Sequence, residues 1–449
     1  MAKSRTRHVC QQCGYTAAKW LGRCPECDAW NSFEEEPVYR GSTGPAAELP
    51  RPISIDDIAA VPGGEVRVRT GIGELDTVLG GGLVAGSLVL VGGDPGVGKS
   101  TLLLLALDRF ARKGLTVLYA TGEESTRQVQ LRAQRLGVSG SPTLLLLAHT
   151  DFSHAEAIAR DLRPQVMVVD SVQAMQVPDA AGIPGSVSQV RAVAHRAMLL
   201  AKQTSTAVFL VGHVTKSGDL AGPKVLEHLV DTVLYFEGDG RSALRILRSV
   251  KNRFGPAGEL GVFEMVEHGL REVPDASARL LQERVQDAPG TAVTATMEGS
   301  RPLLAEVQAL VGRPLPQTPA RTCVGVSRPR VLMLAAVLEK AGLALHDRDL
   351  FVNAAGGLHV TEPAADLATA AAIASSLTDT PVRQDTLLIG EVGLVGEVRS
   401  VSYPIPRLKE AERHGFRRIV APSGCAADAP PGVEITVVRT IREALAALF

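Results

Sequence analysis

The sequence predicts an α/β protein whose largest domain is a mostly parallel β-sheet, with a small four-cysteine module before it and an α+β domain after it. Three observations predict this architecture. Short apolar, β-prone segments alternate with helical segments at βαβ spacing, a glycine-rich loop joins one such strand to a helix, and cysteines cluster near the N-terminus.

The composition is typical of a folded protein with several domains. The chain has 449 residues, of which 45% are hydrophobic and 21% are charged, so neither a disordered protein nor a coiled-coil rod fits. The formal net charge is -1, and any nucleic acid or membrane must therefore be bound through a local patch. We expect domains over residues 1–33, 53–275 and 279–449, with a linker over residues 34–52.

No segment is expected to span a membrane. The longest apolar runs, such as Leu102 to Leu107 and Val166 to Val169, are far shorter than the roughly 18 residues required. The N-terminus is charged and is not followed by the apolar segment of a signal peptide, so we expect a cytoplasmic protein. Cys323 and Cys425 stand apart from the other cysteines and are expected to be core or surface thiols.

Four cysteines near the N-terminus predict a structural zinc site. They are Cys10, Cys13, Cys24 and Cys27. Two C-x2-C pairs at this spacing can place four thiolates around one Zn2+, whereas two redox pairs so close together fit less well. Four Cys ligands leave no open position, so the metal would stabilise the fold. Trp20 and Trp30 lie in the same module, where either core packing or base stacking suits them.

A glycine-rich loop between a strand and a helix predicts a nucleotide site. Ser87 to Val91 reads as the strand, Thr101 to Arg112 reads as the helix, and the loop has the P-loop sequence. Its glycines let backbone N–H groups surround phosphate, Lys99 reaches the β- and γ-phosphates, and Ser100 can ligate Mg2+. The candidate ATP-binding residues are Gly93, Asp94, Pro95, Gly96, Val97, Gly98, Lys99, Ser100 and Thr101.

Acidic residues follow two other predicted strands. Val166 to Val169 leads into Asp170, where a Walker B carboxylate would hold Mg2+ through its water shell, although an Asp there could instead cap a helix. Glu123 and Glu124 follow the strand Thr116 to Ala120, and at least one of them is expected to activate the attacking water as general base. The alternative for this pair is the acidic first turn of a helix. The remaining predicted strands of this sheet are Thr143 to Ala148 and Ala207 to Val211.

The motifs carry a resemblance to a known family. Residues 53–275 resemble a RecA-like ATPase core, and the whole chain resembles the bacterial RadA (Sms) family of DNA repair proteins. The resemblance rests on the four cysteines, the P-loop and the motif Lys251-Asn252-Arg253-Phe254-Gly255. It implies a DNA-dependent ATPase that uses ATP, Mg2+ and Zn2+ and forms a hexameric ring on single-stranded and branched DNA. It also implies branch migration of recombination intermediates beside a strand-exchange recombinase.

The Lys251 motif is expected at the end of a β-hairpin. Ala243 to Val250 alternates like a strand, a turn follows at Gly255, and Leu260 to Met265 returns. In ring ATPases, a cation from one subunit stabilises the γ-phosphate charge of the next, as an arginine finger does. The resemblance makes Lys251 and Arg253 catalytic candidates of this kind, whereas the residues alone would suggest a solvated basic turn.

Two breaker-rich segments occupy the positions of DNA-contacting loops in RecA-like cores. They are Gln176 to Gln189 and Lys216 to Lys224, and the candidates for DNA contact are Lys216, Lys224 and Arg191. The resemblance also puts His213 at a sensor position that couples the nucleotide state to these loops, although His213 could equally be a core histidine.

The C-terminal third resembles the Lon protease domain, whose members use a Ser-Lys dyad. Ala364 stands at the nucleophile position, and the Lys position falls within Ile405 to Lys409, so Lys409 is one candidate counterpart. Without a hydroxyl no acyl intermediate forms, so we expect a degenerate scaffold that binds DNA or stabilises the ring. Its candidate phosphate contacts, which could also be plain surface charges, are Arg399, Arg407, Arg413, Arg417 and Arg418.

Three functions remain open at this stage. The leading interpretation is a DNA-dependent ATPase and motor. An ATP-dependent peptidase is opposed by Ala364, which lacks a nucleophile. A nucleotide-binding scaffold would differ from the motor because DNA would not change its ATP turnover.

Overall fold

The structure is a computed structural model that describes residues 6–10, 12–37, 67–138, 140–213, 225–238, 243–314 and 319–449. The chain forms two compact units, Met1–Glu272 and Val273–Phe449. The DNA-contact candidates Lys216 and Lys224, and most of the predicted linker, lie outside the described residues. Within the described part of the chain, no helix has the length and apolar character that a membrane span requires.

The N-terminal module is a three-stranded antiparallel sheet. Its strands are β1 (Thr6–Cys10), β2 (Thr16–Ala17) and β3 (Phe33–Pro37), in the order β2-β1-β3. Residues 34–37, which the sequence assigns to the linker, instead pair with β1 and belong to this sheet. The linker boundary was therefore placed too early, because an acidic segment without periodicity gave no strand signal.

A nine-stranded sheet forms the centre of the first unit. A separate two-stranded pair consists of β4 (Arg67–Val68) and β5 (Leu83–Val84). The strands of the large sheet are β6 (Leu88–Gly93), β7 (Val117–Thr121), β8 (Leu144–Ala148), β9 (Val166–Asp170), β10 (Ala207–Val211), β11 (Thr232–Glu237), β12 (Leu244–Asn252), β13 (Leu260–Val266) and β14 (Gly269–Glu272). Their order is β14-β13-β12-β11-β6-β10-β9-β7-β8, with β6 to β11 parallel and β12 to β14 antiparallel. The predicted mostly parallel sheet is confirmed, with small shifts at the strand ends.

Helices cover both faces of this sheet. They are α1 (Gly73–Val78), α2 (Lys99–Arg112), α3 (Thr126–Arg135), α4 (Phe152–Leu162), α5 (Val187–Thr204) and α6 (Val225–Leu229). Successive residues of a strand point to opposite faces. Val89 of β6 therefore joins the same core as Phe110 of α2, whereas Leu90 joins the core that contains Val193 of α5. The continuous apolar runs of the central strands follow from this two-sided burial.

The second unit contains a seven-stranded mixed sheet in the order β17-β18-β16-β15-β19-β22-β23 and a small β20-β21 pair. The strands are β15 (Thr291–Glu298), β16 (Arg301–Gly312), β17 (Arg321–Val324), β18 (Asp349–Ala354), β19 (Thr386–Leu388), β20 (Glu391–Val392), β21 (Val398–Arg399), β22 (Arg418–Ala421) and β23 (Glu434–Val437). The helices are α7 (Ala276–Leu281), α8 (Arg328–Ala341), α9 (Asp366–Thr378), α10 (Pro404–Arg413) and α11 (Ile441–Leu448).

Helix α9 is rich in alanine. A 3-10 turn, Pro363–Ala365, precedes it, and the α-helix begins at Asp366. Its residues from Asp366 to Ser375 are all buried. Alanine suits this position because its small side chain lets the sheet and the neighbouring helices approach closely while favouring the helical backbone.

Candidate functional site

The carboxyl ends of neighbouring parallel strands meet at one edge of the large sheet. Strand β6 leads into the P-loop, β7 leads to Glu123 and Glu124, β9 ends at Asp170, and β10 leads to His213. Thr121 at the end of β7 lies level with Asp170. Ligands of α/β sheets bind at this edge, and the structure brings these predicted residues together there.

The P-loop backbone adopts positive φ angles that glycine accepts without strain. Gly93, Gly96 and Gly98 have φ angles of 149°, 79° and 115°. A Cβ at Gly93 would lie 2.3 Å from the Phe236 carbonyl oxygen, whereas Gly96 faces open space. Helix α2 begins at Lys99 without a side-chain cap, so its first N–H groups are available to phosphate oxygens. This loop fits a nucleotide phosphate.

The Lys99 ammonium is buried at the centre of this edge. Its Nζ donates to the Gly93 carbonyl at 2.7 Å and the Asp94 carbonyl at 2.9 Å, and it lies 3.3 Å from His213 Nδ1. Burial lowers the pKa of Lys99, and nearby carboxylates, led by Asp170, act in the opposite direction. A bound phosphate would add negative charge beside this amine and favour its protonated form.

His213 lies between Lys99 and Glu123 and contacts both side chains. His213 Nε2 is 3.2 Å from Glu123 Oε1, and the Ser171 hydroxyl donates to the same oxygen. The hydrogen bond with His213 lowers the pKa of Glu123, burial opposes it, and Ser171 and Lys99 lower the pKa further. Because His213 Nδ1 accepts from the Lys99 ammonium, Nε2 carries the proton and donates to Glu123. Glu123 is thus an ionised carboxylate that can accept a proton from water.

Glu124 belongs to a different network. Its Oε1 pairs with Arg132 of α3, and its buried Oε2 has no hydrogen-bond partner within the described part of the chain. Helix α3 begins at Thr126 after the Ser125 cap, so neither acid lies in a helical first turn. Of the two sequence candidates, the geometry favours Glu123 as the base.

Asp170 is the last residue of β9 and is buried. The Tyr119 hydroxyl donates to its Oδ2, while Asp170 Oδ1 and the Ser100 hydroxyl accept or donate no hydrogen bond among the described residues. The next helix after Asp170 begins only at Val187, so the helix-cap alternative is wrong. Carboxylate and hydroxyl oxygens are ligands that Mg2+ prefers, so Asp170 and Ser100 fit this metal.

The Lys251 motif lies at the opposite edge of the same sheet. Lys251 Nζ donates to the Val230 carbonyl at 2.9 Å, and Arg253 Nη1 lies 3.3 Å from Asp231 Oδ1. Strand β6 starts at this edge and ends at the P-loop about 16 Å away, given roughly 3.3 Å per strand residue. Within one chain, the structure therefore does not bring Lys251 or Arg253 to Lys99.

The other residues of the motif hold the hairpin in shape. The Asn252 side-chain oxygen accepts from the Phe254 amide at 3.0 Å and from the Thr232 hydroxyl at 3.2 Å. A Cβ at Gly255 would lie 3.0 Å from the Gly80 Cα, so a larger residue here would have to displace the backbone at Gly80. Asn252, Phe254 and Gly255 thus fix the backbone that carries the two cations.

The four N-terminal cysteines lie together, and none forms a disulfide. Their Sγ atoms lie within 4.8 Å of one another, with 3.7 Å between Cys10 and Cys27 and 3.5 Å between Cys13 and Cys24. A tetrahedral Zn2+ with Zn–S bonds of about 2.3 Å needs sulfurs about 3.8 Å apart, so the four thiols fit zinc. Burial raises the pKa of Cys10, but hydrogen bonds with Ser32 and neighbouring backbone amides outweigh it and lower the pKa to about 6.

Two predicted nucleic-acid features of this region have different outcomes. Trp20 and Trp30 are 51% and 72% exposed, so the core-packing interpretation is wrong, and base stacking stays a prediction. The guanidinium of Arg23 lies 5.8 Å from the centre of the Trp30 ring. Arg191 lies on α5 and donates to the Gly14 carbonyl at 3.1 Å, so it links the cysteine module to the helix that includes the last residues of the segment 176–189.

In the second unit, Ala364 is buried in the turn before α9. Arg407 is wholly buried and pairs with Glu362, with Nη1 3.0 Å from Oε2. The prediction that Arg407 is a surface contact for phosphate is therefore wrong. Lys409 is exposed, so the buried cation of the expected dyad segment is Arg407. A guanidinium remains protonated and cannot serve as a general base.

Sequence reasoning missed several side chains that contact the predicted ones. They are Tyr119, Arg132, Ser171 and Asp231. In the sequence, Tyr119 looks like an ordinary residue of an apolar strand. Arg132, Ser171 and Asp231 belong to no recognisable motif. Only Asp231, an acid immediately before an apolar strand, carried a weak signal that it needs a buried partner.

Comparisons with known proteins agree with this organisation. Residues 8–35 match the family described as rubredoxin metal binding domain, residues 65–219 match the AAA domain, and residues 318–424 match subunit ChlI of Mg-chelatase. The four-cysteine module and the P-loop core of the predicted fold are thereby confirmed. The likeness of the C-terminal domain to Lon stays a prediction.

Full-length relatives share nearly half of their residues with this chain. A protein named DNA repair protein RadA from Pseudomonas aeruginosa is 47% identical over 454 residues, and one from Streptococcus pyogenes is 46% identical over 456 residues, with 100% of both chains covered in each case. The one from Bacillus subtilis is 45% identical and covers 99% of both chains. A solved KaiC-like protein from Pyrococcus horikoshii aligns with 47% of this chain and 100% of its own, with 17% identity and a TM-score of 0.40. The last likeness is too low to carry an argument.

Proposed function

The chain belongs to the family of DNA repair proteins named RadA, and from this premise we propose that it hydrolyses ATP to drive branch migration on single-stranded and branched DNA. The relatives' name supports a role in DNA repair, and the AAA domain match supports ATP hydrolysis. The observation that carries the proposal is the convergence of Lys99, Glu123 and Asp170 at one edge of the sheet.

The proposed chemistry assigns one task to each of these residues. The P-loop N–H groups and Lys99 bind the phosphates, while Ser100 and Asp170 would hold Mg2+, which would supply charge neutralisation at the phosphates when bound. Glu123 accepts a proton from the attacking water. The water oxygen bonds to the γ-phosphorus as the bond to the β-phosphate oxygen breaks, which releases ADP and phosphate. His213 contacts both Lys99 and Glu123, so it can change partners when nucleotide binds.

Completion of this site requires a second subunit. Lys251 and Arg253 lie at the edge of the sheet opposite to Lys99, where they could meet the P-loop edge of a neighbouring copy. When such a head-to-tail contact is repeated, the subunits form a closed ring if the rotation between successive subunits is suitable. We propose that the two cations stabilise γ-phosphate charge in the neighbouring subunit. The hexameric state and the work beside a strand-exchange recombinase rest on the family resemblance.

We do not propose a peptidase for the second unit. A Ser-Lys mechanism needs a hydroxyl nucleophile and an amine that can lose its proton. Ala364 supplies no hydroxyl, and Arg407, the buried cation that pairs with Glu362, carries a guanidinium that cannot serve as a base. A scaffold role for this unit fits these side chains better.

The experiment that tests the motor measures ATP turnover with and without single-stranded DNA, together with movement of a labelled three-strand junction. Wild type is expected to turn over ATP faster with DNA and to move the junction. Lys251→Ala should bind ATP but lose junction movement, and Lys99→Ala should lose both. If DNA does not change ATP turnover by the wild type and the junction does not move, the result would favour a nucleotide-binding scaffold over a motor.

A further inference from the structure

A chain of four side chains leads from α3 to the end of β9. Glu124 pairs with Arg132, Arg132 Nη1 lies 3.5 Å from the Tyr119 hydroxyl oxygen, and Tyr119 donates to Asp170 Oδ2. Within the described part of the chain, the hydrogen bonds of the Lys99 ammonium go to Gly93, Asp94 and His213 and not to these residues. This network is separate from the Lys99, His213 and Glu123 contacts described above.

The strand register explains why Tyr119 reaches Asp170. Asp170 lies level with Thr121 across the β7–β9 pair, and Tyr119 is two residues before Thr121. Residues two apart on a strand share a face, so Tyr119 is the diagonal neighbour of Asp170. Both side chains are buried, with exposures of 1% and 5%, so water does not replace the contact readily.

The Tyr119 hydroxyl donates its hydrogen bond to Asp170 and accepts one from Arg132. The Asp170 carboxylate has only acceptors, so the phenol hydroxyl is the donor in their contact. Arg132 carries only donors, so the phenol oxygen accepts from Arg132 and its single proton goes to Asp170. Glu124 in turn anchors the guanidinium of Arg132.

We propose that Tyr119 is a positioning residue for the Asp170 carboxylate, and that it sets the affinity of the ATP site for Mg2+. The inference rests on the proposed function, because it requires Asp170 to hold the metal. The phenol holds Oδ2, which leaves Oδ1 available as a ligand for Mg2+. Glu124 and Arg132 support the phenol, so this pair acts through the metal site and not on the attacking water.

The energetic reason is the cost of leaving a buried carboxylate oxygen without a donor. In Tyr119→Phe, Asp170 Oδ2 keeps its burial and loses its hydrogen bond, so the carboxylate turns away from its metal-binding orientation. Loss of a residue that orients a metal ligand typically weakens metal binding about 10- to 100-fold. Packing changes little because Phe keeps the ring.

The test titrates Mg2+ into the full-length protein with a fluorescent, non-hydrolysable ATP analogue and follows nucleotide binding. Tyr119→Phe should raise the half-saturating Mg2+ concentration about tenfold, with unchanged binding of the analogue in EDTA and a circular dichroism spectrum that shows a folded protein. Arg132→Gln should shift the Mg2+ requirement in the same direction. The matched control is Tyr403→Phe in the second unit, which removes the hydroxyl of a tyrosine that is 65% exposed, and this variant should titrate like wild type.

Two results would overturn the inference. One is a folded Tyr119→Phe protein with the wild-type Mg2+ requirement. The other is a variant whose analogue binding weakens equally with and without Mg2+, because that indicates a structural role only. A wild-type protein that fails to bind the analogue at any Mg2+ concentration overturns the proposed function itself, and the two failures are thus distinguishable.

Discussion

Arg253 Nη1 lies 3.3 Å from Oδ1 of the buried Asp231, at the amino edge of the large sheet. The other oxygen of Asp231 accepts from the Leu88 amide at 3.0 Å. Leu88 is the first residue of the strand whose last residue begins the P-loop. Arg253, the proposed finger, therefore lies at the start of this strand, and the P-loop lies at its end. Because the two lie at opposite ends of one strand, this geometry suits catalysis between subunits.

Replacement of each acid after β7 distinguishes a base from a supporting residue. Glu123→Gln should lower ATP turnover about 10²- to 10⁴-fold while ATP binding persists, because the amide cannot accept the proton of water. Glu124→Gln should have a smaller effect that grows at low Mg2+. Steady-state kinetics at several Mg2+ concentrations check this, and an equal loss in both variants would contradict the assignment.

Tryptophan fluorescence should be sufficient to detect the effect of zinc removal on the cysteine module. The chain has two tryptophans, and both, Trp20 and Trp30, lie in the cysteine module, so their emission reports on no other region. Both side chains are already largely exposed, so the quantity to follow is their fluorescence anisotropy. Chelation should release zinc and lower the anisotropy, because the two side chains move more freely when the module loses its fold. Cys13→Ser should already show the low anisotropy, whereas Cys323→Ser should behave as wild type. An unchanged anisotropy after complete metal loss would argue against a structural zinc site.

Arg407 should be important for the stability of the second unit. Arg407→Ala leaves Glu362 without its buried partner, a change that typically costs about 3 to 5 kcal/mol. Arg399→Ala, at an exposed position, should change the free energy of unfolding by less than about 0.5 kcal/mol. Denaturant unfolding followed by circular dichroism measures both, and similar stabilities of the two variants would show that the buried pair contributes little.

A restored hydroxyl at the expected nucleophile position should not create a peptidase. Ala364→Ser supplies the nucleophile, but Arg407 remains protonated and cannot deprotonate it. Peptide substrates incubated with the variant should remain intact with and without ATP. Cleavage by Ala364→Ser that is absent in wild type would mean that another group acts as the base.

The sequence was sufficient for features that depend on local pattern. The P-loop, the strand ends that carry Asp170 and Glu123, and the hairpin around Lys251 all follow from short motifs and alternation. Contacts between distant segments could not be predicted from the sequence. No local pattern indicates that Tyr119 contacts Asp170 or that Arg407 is buried against Glu362. The choice between Glu123 and Glu124 also needed the fold, because Arg132, the partner of Glu124, is eight residues away on a helix.

The most direct test of the central claim mixes two inactive variants, Lys99→Ala and Arg253→Ala, and measures DNA-stimulated ATP turnover. Each alone should be nearly inactive, because one lacks the P-loop lysine and the other lacks the finger. In mixed rings, a subunit with an intact P-loop can meet an intact finger, so an equal mixture should recover about a quarter of wild-type turnover if the subunits assemble at random. No recovery, in mixtures shown to exchange subunits, would contradict an ATP site completed by the neighbouring chain.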